Sequence, residues 1–137
     1  MSVAARLEAL DLRLPPVVAP LAAYVPAVVT GNLVFTAGQL PMVDGALPEA
    51  GLVGDGADDV SPAMAADYAA TCAMNALAAV ADALGDLERI TRIVKVTGFV
   101  ASAPGFTGQP AVVNGASNLL GEIFGEAGKH ARSAVGV

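Results

Sequence analysis

Apolar residues recur with helical spacing at the start of the chain. In residues 2–10 (SVAARLEAL), Val3, Leu7 and Leu10 fall on one helical face, and Ser2 is a candidate N-cap. We expect a short amphipathic helix here. Its apolar stripe is expected to pack on the domain rather than on a partner.

The next pattern is that of a β-hairpin over residues 24–38. Two runs rich in β-branched residues, YVPAVVT and LVFTAG, flank Gly31-Asn32, a dipeptide typical of two-residue turns. Pro26 cannot donate to a strand ladder, so an edge strand or a bulge is expected there. The register implied by the turn pairs Thr30 with Leu33, Val28 with Phe35, and Tyr24 with Gln39.

Two longer amphipathic helices are predicted further along the chain. Ser61 as N-cap, Pro62 at the first helical position and Gly85 as terminator indicate a helix over 61–85. A second helix is expected over 109–125. The expected inward-facing residues are Met64, Tyr68, Leu77, Val80 and Leu84 in the first helix, and Val112, Ala116, Leu119 and Ile123 in the second.

Strands are predicted over 89–102 and 131–137, which gives the element order α-β-β-α-β-α-β. This order predicts an α+β fold with two helices packed on one face of a single sheet. Residues 44–60, rich in glycine and acidic residues, are expected to form a solvated and mobile loop. The run DGADDV within it is a poor match to a calcium loop, so no metal site is expected.

Composition changes this picture in one respect. The 137 residues have the size of one domain, with residues 1–20 expected to form the N-terminal helix and a linker. The chain is 55 % hydrophobic but only 4 % aromatic. A single domain this apolar is expected to bury surface in an oligomer interface as well as in its core.

Charge and sequence signals disfavour several classes of protein. The formal net charge of −6 disfavours nucleic-acid binding. Prolines and acidic residues interrupt the apolar stretches before they reach membrane-spanning length, and no secretory signal is evident at the amino terminus. Cys72 is the single cysteine, which fits a cytoplasmic protein, and we expect it to be a buried, inert thiol.

Four motifs in sequence order resemble the Rid family of enamine/imine deaminases, also called the YjgF/YER057c/UK114 family. They are YVPAVVTGNLVFTAGQLP (24–41), NALAAVADALGDLERITRIVKVTGFV (75–100), VVN (112–114) and ARSAV (131–135). The N-terminal helix and the long loop over 44–60 resemble a divergent subgroup of this family.

The resemblance implies a chorismate-mutase-like (ferredoxin-like) fold that assembles as a homotrimer with a central barrel and clefts between subunits. It further implies hydrolysis of small 2-imino acids to 2-keto acids and ammonia, without a cofactor.

Four positions match the family's cleft residues. Arg132 matches the arginine that holds the substrate carboxylate, a role that suits the planar guanidinium fork. Tyr24 matches a cleft tyrosine, Gly38 a glycine whose backbone faces the ligand, and Asn114 an asparagine at the cleft rim. Structural alternatives stay open: a buried ion pair or a position reaching solvent from the strand edge for Arg132, a core position for Tyr24, strand packing for Gly38, and a role in capping or lining the helix for Asn114.

The sequence also departs from the family pattern. Ala134 stands where many members have cysteine, and Ala37 where many have serine. The family pattern continues beyond Val137 with a strand bearing a glutamate that handles the hydrolytic water, so either the chain is incomplete or the water is handled otherwise. His130 matches no catalytic position and is expected at the surface.

Two functions therefore remain in competition. The first is a cofactor-free deaminase in which Arg132 anchors the carboxylate of a small imino acid. The second is a non-catalytic trimer that binds small carboxylates or acts as a chaperone-like interaction protein. A ribonuclease role suits neither the acidity nor the single histidine.

Overall fold

Helices and strands follow one another in the predicted order. The computed structural model describes residues 1–137. It contains α1 (Val3–Ala9), β1 (Ala27–Thr30), β2 (Leu33–Thr36), α2 (Pro62–Leu84), β3 (Lys95–Val100), α3 (Gln109–Phe124) and β4 (Ala131–Gly136), with short 3-10 turns at Leu87–Arg89 and Gly125–Gly128. None of the helices has the length and apolar character needed to cross a membrane.

The helices begin and end where their capping residues predict. The Ser2 hydroxyl accepts the Ala5 N–H at the start of α1, and the Ser61 hydroxyl accepts the Met64 N–H at the start of α2. Gly85 ends α2 in the left-handed conformation, with φ +82°, which glycine adopts without steric cost.

The strands form two separate two-stranded sheets, so the expectation of a single sheet is wrong. Strands β1 and β2 are an antiparallel hairpin, while β3 and β4 pair in parallel. The order of helices and strands along the chain does not determine which strands pair in a sheet. That pairing depends on how the helices pack.

The predicted hairpin register is confirmed within the ladder. Thr30 pairs with Leu33 and Val28 with Phe35. The expected pairing of Tyr24 with Gln39 is absent. The ladder ends at Pro26, whose carbonyl accepts the Ala37 N–H and which has no N–H to continue the strand.

The third strand is shorter than predicted. The Asp86 carboxylate accepts the Glu88 N–H at 2.9 Å and starts a 3-10 turn over Leu87–Arg89. Arg89 Nη1 donates to the Leu84 carbonyl at 2.8 Å, which closes the carboxyl end of α2. The residues predicted to open the strand therefore belong to the connection from α2.

The core lies between α2, α3 and the inner face of β3–β4. Two buried clusters fill it: Met74, Leu77, Val80, Leu87, Leu120, Ile123 and Phe124 form one, and Val53, Val60, Ala65, Val100, Val112 and Val113 form the other. Val3 and Leu7 of α1 pack on the first cluster, as predicted, but Leu10 is the C-cap and lies exposed. Met64, predicted to face inward, is exposed as well.

The segment over 44–60 is not a uniformly solvated loop, and that expectation is corrected at two positions. Val53 and Val60 are buried in the second core cluster. The Val53 N–H donates to the Ala101 carbonyl at 2.7 Å, and the Ala103 N–H donates to the Val53 carbonyl at 2.9 Å. Backbone hydrogen bonds thus hold this segment against the residues that follow β3. Composition alone does not reveal such a tertiary contact.

Candidate functional site

Arg132 lies on β4 and is held by α3. Within the parallel ladder it pairs with Val96, and it shares a face of the strand with Ala134, which packs on the second core cluster. The guanidinium therefore extends on the helix side of the sheet. Its Nη1 donates to the Asn114 side-chain oxygen at 2.6 Å and to the Ser117 hydroxyl at 3.3 Å.

No acidic side chain of the chain pairs with Arg132. The one ion pair in the structure joins Lys129 and Glu126, both exposed, at 2.8 Å. Arg132 is partly buried, yet none of its nitrogens is both enclosed and without a hydrogen-bond partner. Because no protein group accepts a hydrogen bond from Nε or Nη2, these two nitrogens are accessible to solvent. The positive charge remains available to an anion.

Ser117 and His130 continue the hydrogen-bond chain behind the guanidinium. The Ser117 oxygen lies 2.9 Å from His130 Nε2, and His130 Nδ1 lies 2.6 Å from the Gly128 carbonyl oxygen. His130, expected at the surface, is partly buried. Partial burial of this histidine is possible because both of its ring nitrogens form hydrogen bonds within the protein.

The sequence contains a signal that relates Ser117 and His130 to the predicted site residues. Asn114 and Ser117 are three apart on a helix and therefore share a face. His130 and Arg132 are two apart at the start of a strand and therefore point to the same side. Only the packing of α3 against β4 shows that these two sides meet.

Tyr24 and Gly38 lie together at the open end of the hairpin. Tyr24 is 54 % exposed, which excludes a core position. A Cβ atom at Gly38 would meet nothing within 4 Å, so strand packing does not explain this glycine. The two residues border a shallow cavity of about 540 Å³ lined by Tyr24, Val25, Val28, Phe35, Thr36, Ala37 and Gly38.

The structure thus joins the predicted site residues into two pairs. Arg132 contacts Asn114, and Tyr24 shares a cavity with Gly38. No hydrogen bond links one pair to the other, and neither Arg132 nor Asn114 lines the hairpin cavity. Within one chain, the four residues expected to share one cleft therefore lie at two separate places.

Asn75 is a residue that the sequence interpretation missed. It lies on α2 with 1 % of its surface exposed, and its Nδ2 donates to the carbonyls of Leu40 and Met42 at 3.0 and 3.1 Å. The amide therefore fixes the segment that directly follows Gly38 and Gln39. The available signal was an isolated amide between Met74 and Leu77 on the buried face of the helix.

Two further groups have shifted acidities. Cys72 is partly buried and not fully buried as predicted, and this burial raises the pKa of its thiol to about 11, which supports the prediction of an inert thiol. The pKa of Tyr68 is raised because its hydroxyl donates to the Glu49 carboxylate at 2.8 Å. This hydrogen bond connects the first half of the 44–60 segment to α2. No group of three or more His, Cys, Asp or Glu side chains is arranged to hold a metal ion.

Comparison with known proteins connects this geometry to a family. Residues 4–136 match the profile of the family described as "YjgF/chorismate_mutase-like, putative endoribonuclease". Protein TCP17 of Trypanosoma cruzi is 43 % identical over 136 residues, which span 98 % of this chain and 83 % of that protein.

Two crystal structures share the fold. Atu1372 of Agrobacterium tumefaciens, described as a protein of unknown function, is 47 % identical with a TM-score of 0.86, over 98 % of this chain and 80 % of that one. A protein of Shewanella oneidensis MR-1, described as a "putative endoribonuclease", is 34 % identical with a TM-score of 0.93, over 100 % and 89 % of the two chains. The chain that places Arg132 against Asn114 therefore belongs to the YjgF/chorismate-mutase-like family, as its four motifs indicated.

Proposed function

We propose that this protein hydrolyses small 2-imino acids to 2-keto acids and ammonia, with Arg132 anchoring the substrate carboxylate. The observation that carries the proposal is the state of that guanidinium. It is oriented from one side by Asn114 and Ser117, it has no acidic partner, and its remaining nitrogens are accessible to solvent. A planar, permanently charged fork of this kind binds a carboxylate through two parallel hydrogen bonds.

For this hydrolysis the main task of the protein is to position the substrate. Water adds to the carbon of the C=N bond, and the resulting carbinolamine expels ammonia to leave the C=O bond of the keto acid. Holding the carboxylate fixes the imine carbon at a constant distance from Arg132. The exposed backbone around Gly38 is suited to orient the imine nitrogen, and the Tyr24 ring to close an apolar wall.

A homotrimer would complete the site by bringing the hairpin of one protomer to the Arg132 region of the next. Apolar side chains exposed on both sheets support this arrangement. Val28 and Phe35 on the hairpin are 52 % and 58 % exposed, and Phe99 on β3 is 69 % exposed. Side chains of this size rarely stay in water when a symmetric partner can cover them.

The second candidate is a non-catalytic trimer that binds small carboxylates. The same guanidinium supports it, and Ala134, where many family members have cysteine, favours it. The words "putative endoribonuclease" describe the matched family and the Shewanella relative. In this chain the net charge of −6 disfavours RNA, and the lone histidine already has a partner at each ring nitrogen.

Turnover of freshly generated imino acids tests the proposal. An amino-acid oxidase would supply the imine, and ammonia release would be compared among the unmodified protein, Arg132→Ala and Arg92→Ala. Arg92 is an exposed arginine with no hydrogen bond or ion pair to the protein, so it controls for loss of charge. We expect accelerated release that Arg132→Ala abolishes and Arg92→Ala preserves.

The other outcomes separate the candidates. Carboxylate binding that depends on Arg132 without turnover would replace the deaminase by the binding protein. If the unmodified protein shows no carboxylate binding and no turnover, both candidate functions are overturned.

A further inference from the structure

The hydrogen-bond chain behind Arg132 has a defined direction. A carbonyl oxygen only accepts, so the 2.6 Å contact with Gly128 places a proton on His130 Nδ1. In the neutral ring Nε2 is then an acceptor, and the Ser117 hydroxyl donates to it across 2.9 Å. The lone pairs of Ser117 are left to accept from Arg132 Nη1.

This direction matters because a serine within a helix has a competing partner. Its hydroxyl commonly donates to the carbonyl four residues earlier on its own helix. His130 removes that alternative by taking the hydroxyl proton. The Ser117 oxygen is thereby held as an acceptor on the side of α3 that faces β4.

We infer that Ser117 and His130 are positioning residues that select which edge of the Arg132 fork meets the substrate. Nη1 carries two protons, and Asn114 and Ser117 each accept one. The edge formed by Nε and Nη2 is then the one left for a carboxylate. The inference rests on the proposed function, since it assumes that the ligand of Arg132 is a carboxylate.

Binding of 2-oxobutanoate, a small 2-keto acid, tests the inference through a double-mutant cycle. We expect Ser117→Ala and His130→Phe to weaken binding about three- to tenfold, the order of one typical net hydrogen bond, because both changes act on Arg132 and not on the ligand itself. In an Arg132→Ala background the same changes should have no effect, because there is no fork left to position. Equal losses in both backgrounds would show a merely structural role and would overturn the inference.

Two variants guard against a trivial loss of folding. His130→Gln keeps an amide that can accept the Ser117 proton and should retain most of the affinity that His130→Phe loses. Ser133→Ala is the matched control, since Ser133 follows Arg132 on β4 but accepts from Lys95 Nζ at 2.8 Å. Its affinity should equal that of the unmodified protein. A loss in His130→Gln as large as in His130→Phe would contradict the role of Nε2 as an acceptor.

A readout without ligand separates this inference from the proposed function. ¹⁵N NMR of the free protein should show the His130 ring protonated at Nδ1 and a motionally restricted Arg132 Nε–H. Ser117→Ala should raise the mobility of that Nε–H, and unchanged mobility would overturn the positioning role. If Arg132→Ala binds 2-oxobutanoate as the unmodified protein does, the proposed function fails, while the NMR result still decides whether Ser117 and His130 position the guanidinium.

Discussion

Arg132 combines two properties that are rarely found together in one partly buried cation. Its Nη1 is fixed by Asn114 and Ser117, and its charge has no acidic partner in the chain. Desolvating a cation without compensation is costly. The arrangement persists because neutral oxygens hold one end of the guanidinium while water reaches the other.

Replacement of Arg132 tests the geometry of the fork separately from its charge. Arg132→Ala removes a charge-assisted contact of about 1.5–3 kcal/mol, or about ten- to a hundredfold in affinity for a 2-keto acid. Arg132→Lys should also weaken binding, because a point charge cannot form two parallel hydrogen bonds. Calorimetric titration measures both. A lysine variant as tight as the unmodified protein would contradict bidentate binding.

Cys72 is expected to react slowly with alkylating agents. Its pKa is about 11 against an ordinary value of 9.0, so at pH 8 the thiolate fraction is lower by about 100-fold. The iodoacetamide rate should rise about tenfold for each pH unit between 8 and 10. Protein unfolded in urea provides the control, and it should react at the rate of an ordinary thiol.

The same shift has a defined sign for stability. The folded pKa of Cys72 exceeds its unfolded value because burial favours the neutral thiol. Its contribution to stability is therefore complete below pH 9 and is lost as the pH rises towards 11.

At the scale of elements, α2 and α3 pack closely at Gly115. A Cβ atom at Gly115 would overlap the carbonyl oxygen of Ala66, so this glycine sets the distance between the helices. Gly121, two turns along the same helix, faces open space. The two glycines thus form a matched pair of sites on one helix.

Opposite effects on stability are expected at these two sites. Gly115→Ala should lower the free energy of unfolding by about 1–3 kcal/mol through overpacking. Gly121→Ala should raise it by about 0.5–1 kcal/mol through the better helix propensity of alanine. Urea unfolding at one fixed protein concentration compares them. Equal effects would show that the contact with Ala66 does not limit helix packing.

The 44–60 segment should be mobile in one part and ordered in another. The Val53 and Val60 amides donate to the carbonyls of Ala101 and Leu52, so we expect them to be protected from hydrogen exchange. Residues 44–51 should exchange quickly. Tyr68→Phe removes the bond to Glu49 and should speed exchange further in that part alone. Tyr24→Phe is the control, and an effect of Tyr68→Phe at Val53 would contradict this division.

At the scale of the whole molecule, exposed apolar side chains occupy both sheets. We predict a homotrimer in solution, which light scattering measures directly. Phe99→Glu should dissociate it, since Phe99 is 69 % exposed on β3. Leu21→Glu changes an equally apolar residue that is 99 % exposed in the linker and should leave the assembly intact. A stable monomer at micromolar concentration would contradict the prediction.

The sequence by itself determined the features that depend on short-range physics. Side-chain caps placed the starts of α1 and α2, Gly85 placed the end of α2, and the Gly31-Asn32 turn set the hairpin register. These outcomes need only neighbours within a few residues. The resemblance of the ARSAV and VVN motifs to the family pointed to Arg132 and Asn114, and the structure shows that the two side chains are in contact.

Only the tertiary structure decided which surfaces meet. It divided the strands into two sheets, buried Val53 and Val60, and placed Asn75 under the segment that follows Gly38. It also showed that Ser117 and His130 lie behind Arg132. These contacts join residues that are distant in sequence or belong to different elements. Their hydrogen bonds depend on how α2, α3 and the sheets pack, which no local pattern of residues encodes.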